Sequence, residues 1–136
     1  MKTYIIGFFI VIASTLILDG MWLHTTLKSF YEKNLNGILD MKAHITPALI
    51  FYILYTVAVL YFVIFPLIHA QADYVKIFLT AAFFGLTAYG TYDLTNHATI
   101  KNWPYIITVI DMAWGAFLTG TVATFTVWTI RLLRLM

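Results

Sequence analysis

The chain has 136 residues, of which 62% are hydrophobic and 10% charged, with a formal net charge of +2. Soluble domains carry about 45–50% apolar and about 25% charged residues, so this chain has too little polar surface to cover a water-soluble globule, and its few dispersed cations form no basic patch for nucleic acid. The absence of cysteine excludes disulfides and thiolate metal sites, and a bilayer is the solvent that suits what remains.

Met1-Lys2-Thr3 precede an apolar run that continues to Leu27. A single charge before a hydrophobic stretch is how signal peptides begin, but this run is too long and lacks an Ala-x-Ala cleavage site, so it reads as a retained first helix. A bilayer core needs about 20 mostly apolar residues per helix, and four segments qualify, at about 4–27, 47–69, 75–98 and 104–130. Lys2, Lys28, Lys33, Lys42, Lys76, Lys101, Arg131 and Arg134 all lie at or beyond the ends of these runs. Thr46 with Pro47 and Asn102 with Pro104 look like cap-and-first-turn starts, and Asp73 is placed to cap the third helix. Pro66 is expected to bend or end the second. Ala81 with Gly85, and Gly115 with Thr119, set small residues four apart, which lets helices three and four approach closely.

Residues 28–46 form the one long connection. Leu27, Phe30, Tyr31, Leu35, Ile38 and Leu39 recur at helical spacing, while Lys28, Ser29, Glu32, Lys33, Asn36 and Asp40 fill the other face. That is the pattern of a helix lying in the membrane interface and ending near Gly37, either as a cover for the bundle or as a lid over a site. The expected architecture is therefore all-α: a four-transmembrane-helix bundle, with a short interfacial amphipathic helix between helices one and two, in a single integral membrane domain over residues 1–136.

With the N-terminal side of the membrane called side A and the other side B, Asp19, Asp93 and Asp111 all fall toward side B. At about 1.5 Å per helical residue, Asp19 is about 13 Å from Lys28, Asp93 about 12 Å from Lys101 and Asp111 about 15 Å from Lys101. Three carboxylates are thus expected in one layer inside the hydrocarbon. An aspartate at the centre of a membrane helix costs about 2.5–3.5 kcal/mol on insertion scales, so three unpaired would rival the stability of a small domain, about 5–15 kcal/mol. They need protonation, neutral hydrogen-bond donors, a bound cation, snorkelling Lys28 or Lys101, or a wet cavity.

Neutral donors stand at matching depth. Gly85, Tyr89, Tyr92, Asp93 and Asn96 follow helical spacing on helix three, Tyr52 and Tyr55 sit at the side B end of helix two, and Trp22 and Trp114 each follow an aspartate by three residues. The candidate ligand-binding set is Asp19, Trp22, Tyr52, Tyr55, Tyr89, Tyr92, Asp93, Asn96, Asp111 and Trp114. Its plainer alternative is a polar network that locks the helices in register; intramembrane ionisable residues favour the functional reading.

His24, His44 and His97 also fall on side B, and His69 on side A, but no His-x-x-x-His or similar helical spacing occurs. Neither a metal site nor a bis-histidine haem is expected, and no cofactor is identified. There is no Walker loop, Gly-x-Ser-x-Gly or His-Glu-x-x-His. Asp19-Gly-Met-Trp22 and Asp111-Met-Ala-Trp114 match over only four residues on helices of opposite direction, so they suggest an Asp–Trp pair recurring at one layer and not a duplication.

The stretch Tyr89-Gly-Thr-Tyr92-Asp93-Leu-Thr-Asn96-His-Ala-Thr-Ile-Lys-Asn-Trp103-Pro104, followed by Asp111-Met-Ala-Trp114-Gly115, resembles the signature of domain-of-unknown-function family 2177, small predicted bacterial membrane proteins. Leu18-Asp19-Gly-Met-Trp22-Leu23, Phe30-Tyr31 and Phe51-Tyr52-Ile-Leu-Tyr55 are similar to its other motifs. His24 and His97 depart from the family pattern, which weighs against a histidine-based site. The resemblance implies a four-helix protein of the bacterial inner membrane, with Asp19, Asp93, Asn96 and Asp111 as its distinctive layer.

The preferred function is a binding or sensing module for a small amphipathic or lipid-like ligand. A small proton-coupled transporter, with Asp93 or Asp111 titrating and a homodimer supplying the pathway, is an alternative, as is a membrane enzyme using paired aspartates. The bilayer and such a ligand are the expected partners; nucleic acid is not. Basic residues divide evenly between the two sides, so the positive-inside rule does not orient the chain.

Overall fold

The structure, a computed structural model, describes residues 2–38 and 44–135. These form four helices: α1 (Lys2–Asn34), α2 (Ile45–His69), α3 (Tyr74–Thr99) and α4 (Tyr105–Leu132). Three of them, α1, α2 and α4, are long and apolar enough to cross a membrane. The bundle is all-α, as its composition predicts, and its surface is apolar where a soluble protein would be polar: Phe9, Ile17, Leu54, Phe62 and Phe83 are all exposed. The interior holds Val11, Ile64, Ile77, Leu118 and Ile130, together with buried threonines Thr15, Thr56, Thr119 and Thr126.

The third helix is the least apolar of the four, for a local reason. Thr87, Thr91, Thr95 and Thr99 follow one another at four-residue intervals on its exposed side, and each hydroxyl donates to the carbonyl four residues back, at 2.9, 2.9, 2.5 and 2.7 Å. The polarity is spent inside the helix, so little of it faces the surroundings.

α3 and α4 make the most extensive pairing in the bundle. Small residues permit it: a Cβ added at Gly85 would stand 2.1 Å from the Gly115 carbonyl oxygen, and one at Gly115 only 2.3 Å from the Tyr89 ring. The four-residue spacing of small side chains was the legible sign of this contact. Asp73 caps α3 as expected, accepting the Lys76 N–H at 2.9 Å. Asn102 instead takes a left-handed conformation in the turn, with φ 62°, and Pro104 occupies the cap position of α4.

Two π-helical turns shape the other pair. Leu60–Ile64 widens α2 immediately before Pro66, whose missing N–H and ring would break a regular α-ladder. Leu27–Tyr31 widens α1 in the same way, and beyond it the helix continues to Asn34. The amphipathic segment is therefore the end of the first helix, continued without a break to Asn34, and Gly37, with φ 82°, lies in the turn that follows. Tyr31 and Leu35 on its apolar face pack with Trp103 and Ile107 at the start of α4. Leu39 and Asp40, read as part of this segment, lie outside the described residues, as does Lys42.

Contacts at the ends define the two sides. Thr3 donates to the Leu135 carbonyl at 2.8 Å, and Arg131 donates to the Ala72 carbonyl at 2.7 Å while lying over the Tyr74 ring. Thr3, Leu135 and the α2–α3 turn thus mark side A. The end of α1, the α3–α4 turn and Asp19, Asp93 and Asp111 lie at side B.

Candidate functional site

Asp19, buried on α1, is where three helices meet. Its carboxylate accepts the Tyr52 hydroxyl from α2 and the Trp114 indole N–H from α4, the latter at 2.9 Å. On α4, Asp111 accepts the hydroxyl of Tyr31, from the far end of α1. Tyr31 in turn accepts the Trp22 indole N–H at 2.9 Å. The Trp22 and Trp114 rings stack face to face, with centroids 4.4 Å apart and planes within 10°. The two carboxylates are thereby joined by one run of contacts: Asp19, Trp114, Trp22, Tyr31, Asp111.

The pairing is crossed. Each tryptophan follows an aspartate by three residues, yet Trp114 serves Asp19 on another helix, and Trp22 reaches Asp111 only through Tyr31. Asp and Trp do recur at one layer, but the hydrogen bonds run between helices and not along them.

These residues enclose a cavity of about 250 Å³. Its walls are the rings of Trp22, Trp103, Trp114, Tyr31, Tyr89 and Tyr92, with Asp19 and Asp111 as its acids and Leu27, Leu35 and Ile107 from the packed end of α1 and start of α4. A second cavity, of about 320 Å³, adjoins it across Tyr89, Tyr92 and Asp111, and adds Phe51, Ala88 and Asp93. Tyr92, 61% exposed, stands at the rim of both.

Asp93 has no solvent exposure, and neither carboxyl oxygen has a hydrogen-bond partner among the described residues. A buried polar group in that state costs about 1–3 kcal/mol, more if charged. The neighbour of Asp93 on the same cavity is Asp111, close enough for the two carboxyls to share a proton, although among the described residues no separate donor reaches Asp93. Among the described residues no Lys or Arg lines either cavity.

Donors on the wall are largely committed. The indole N–H groups of Trp22 and Trp114 go to Tyr31 and Asp19, that of Trp103 goes to the Thr108 hydroxyl at 3.1 Å, and the Tyr31 hydroxyl goes to Asp111. What faces the cavities is ring surface, carboxylate oxygen and the hydroxyls of Tyr89 and Tyr92.

Of the residues singled out in the sequence, Asp19, Trp22, Tyr89, Tyr92, Asp111 and Trp114 line the first cavity, and Asp93 joins Asp111 on the second. Tyr52 touches the site through Asp19. Tyr55 does not join it: its hydroxyl pairs with Thr119 at 2.5 Å, in the core between α2 and α4. Asn96 is on neither wall. Tyr31 and Trp103 were missed as site residues. Trp22 and Tyr31 are about two and a half regular turns apart, hence on opposite faces of a regular helix, and only the wider turn at Leu27–Tyr31 brings them together. His24, His44 and His97 are exposed, and among the described residues no three His, Asp or Glu side chains form a group able to hold a metal ion.

Fold and site together define a small helical membrane protein with an acidic, aromatic-walled recess at one end. The family model described as predicted membrane protein (DUF2177) matches residues 4–128, and the chain belongs to that family. No curated protein and no solved structure matches the chain.

Proposed function

We propose that this protein binds a small amphipathic, lipid-like molecule in the side B recess. The observation that carries the reading is the cavity bounded by Asp19, Asp111 and six aromatic rings, with a second cavity beside it. Concave sites with mostly apolar walls and a few convergent polar groups are the usual form of small-molecule pockets.

We place the protein in the bacterial inner membrane, crossing it repeatedly. α3 crosses with the others in this reading, because short turns at 70–73 and 100–104 join its two ends to α2 and α4 at opposite faces.

Native mass spectrometry of detergent-purified protein tests the proposal. An amphipathic adduct is expected on the wild-type chain and should be lost from Leu23→Trp, which fills the first cavity from its partly exposed rim. An adduct that persists in that variant, or none in the wild type, would overturn the reading.

A further inference from the structure

We infer that the ligand carries a positive charge: an amine or quaternary ammonium head on an apolar tail. This rests on the binding proposal above and specifies its chemistry.

The argument begins with what the recess has left to offer. Its three indole N–H groups and the Tyr31 hydroxyl are already donated within the protein. An anionic head needs cations or several donors; the walls leave at most the Tyr89 and Tyr92 hydroxyls, and among the described residues neither cavity has a Lys or Arg on its wall. Acceptors, by contrast, remain: among the described residues no donor reaches either buried oxygen of Asp93, whose neighbour on the shared cavity is another acid, Asp111.

The ring surfaces point the same way. Trp, Tyr and Phe faces attract a cation through the ring quadrupole, most strongly where water is excluded, and aromatic cages are the recurrent solution for quaternary ammonium groups. Here Trp22, Trp103 and Trp114 with Tyr31, Tyr89 and Tyr92 form the wall around two carboxylates. A hard metal cation is served poorly by such a wall, because calcium takes about 6–8 oxygen ligands and magnesium a near-octahedral set. An alkylammonium needs only a carboxylate and apolar or aromatic contact. Phe51 and Ala88 on the second cavity, near the exposed Tyr92 rim, give the tail an apolar exit toward the bilayer.

The test uses the full chain in a neutral maltoside detergent and three probes with one tail: octyltrimethylammonium, octyl sulfate and octanol. Intrinsic tryptophan fluorescence reports on the site, since three of the four tryptophans line the first cavity. The expected result is a saturable change with the ammonium probe at least tenfold tighter than with the other two. Asp93→Asn and Asp111→Asn should each weaken it tenfold or more while leaving octanol unchanged. Equal binding of all three probes, or undiminished ammonium binding by both variants, would overturn the charge assignment and leave the binding proposal standing. No saturable change with any probe would remove both. If a variant fails to fold, as judged by its unfolding midpoint, the comparison of probes on the wild-type chain decides alone.

Discussion

Trp114 donates its indole N–H to Asp19, 95 residues away in the chain, although Asp111 lies one turn back on its own helix. That bond ties α4 to α1 through a buried carboxylate, which is costly to leave unpaired. Trp114→Phe keeps most of the stacking on Trp22 but removes the donor. It should destabilise the protein by about 1–3 kcal/mol, the cost of a buried acceptor losing a partner. Thermal unfolding in detergent measures this, and an unchanged midpoint would mean that the bond is not structural. Tyr52→Phe, removing the other donor to Asp19, should compound the loss when combined with it.

Asp93 predicts the opposite sign. Its carboxyl is fully buried and makes no hydrogen bond among the described residues, so stability is not what it supplies. Asp93→Leu should raise stability by about 1–3 kcal/mol, because a buried polar group is exchanged for an apolar one of the same branched shape, and the adjoining cavity can take its larger methyl groups. The same substitution should abolish ligand binding. Chemical denaturation and the ammonium titration, run on one preparation, would expose the trade-off. A less stable variant would show that Asp93 has a structural partner after all.

The α3–α4 contact gives a graded series. Gly85→Ala and Gly115→Ala place a Cβ within 2.1 Å of backbone oxygen and 2.3 Å of the Tyr89 ring, distances that force the helices apart. Each should cost about 1–3 kcal/mol or more. Gly20→Ala on α1 meets nothing within 4 Å and should be neutral or slightly stabilising. Unfolding midpoints for the three variants provide the comparison. Equal effects at all three positions would refute the close-approach argument.

Tyr31 anchors the end of α1 to α4 through Asp111 and accepts the Trp22 indole N–H. Tyr31→Phe should therefore loosen residues 27–34 more than the bundle as a whole. Hydrogen exchange resolved by peptide is expected to rise over this segment and stay low in the core of α4. Uniform protection in the variant would mean that packing on Trp103 and Ile107 holds the segment without the hydrogen bond.

Much of this protein follows from its chain alone. Apolar runs separated by basic residues place the helices, since a backbone in oil must satisfy its own hydrogen bonds. A rise of about 1.5 Å per residue then carries Asp19, Asp93 and Asp111 to one end, and that depth depends on no tertiary contact. Rotation about each helix axis is another matter. It is set by how side chains of different helices interlock, and it decided that Trp114 meets Asp19, that Tyr55 turns to Thr119, and that Asn96 stays off the cavity walls. The widened turn at Leu27–Tyr31 decided the rest: by altering the helical twist it swung Tyr31 onto Asp111 and closed the recess. Depth is a property of sequence position, whereas facing is a property of packing, and the site depends on both.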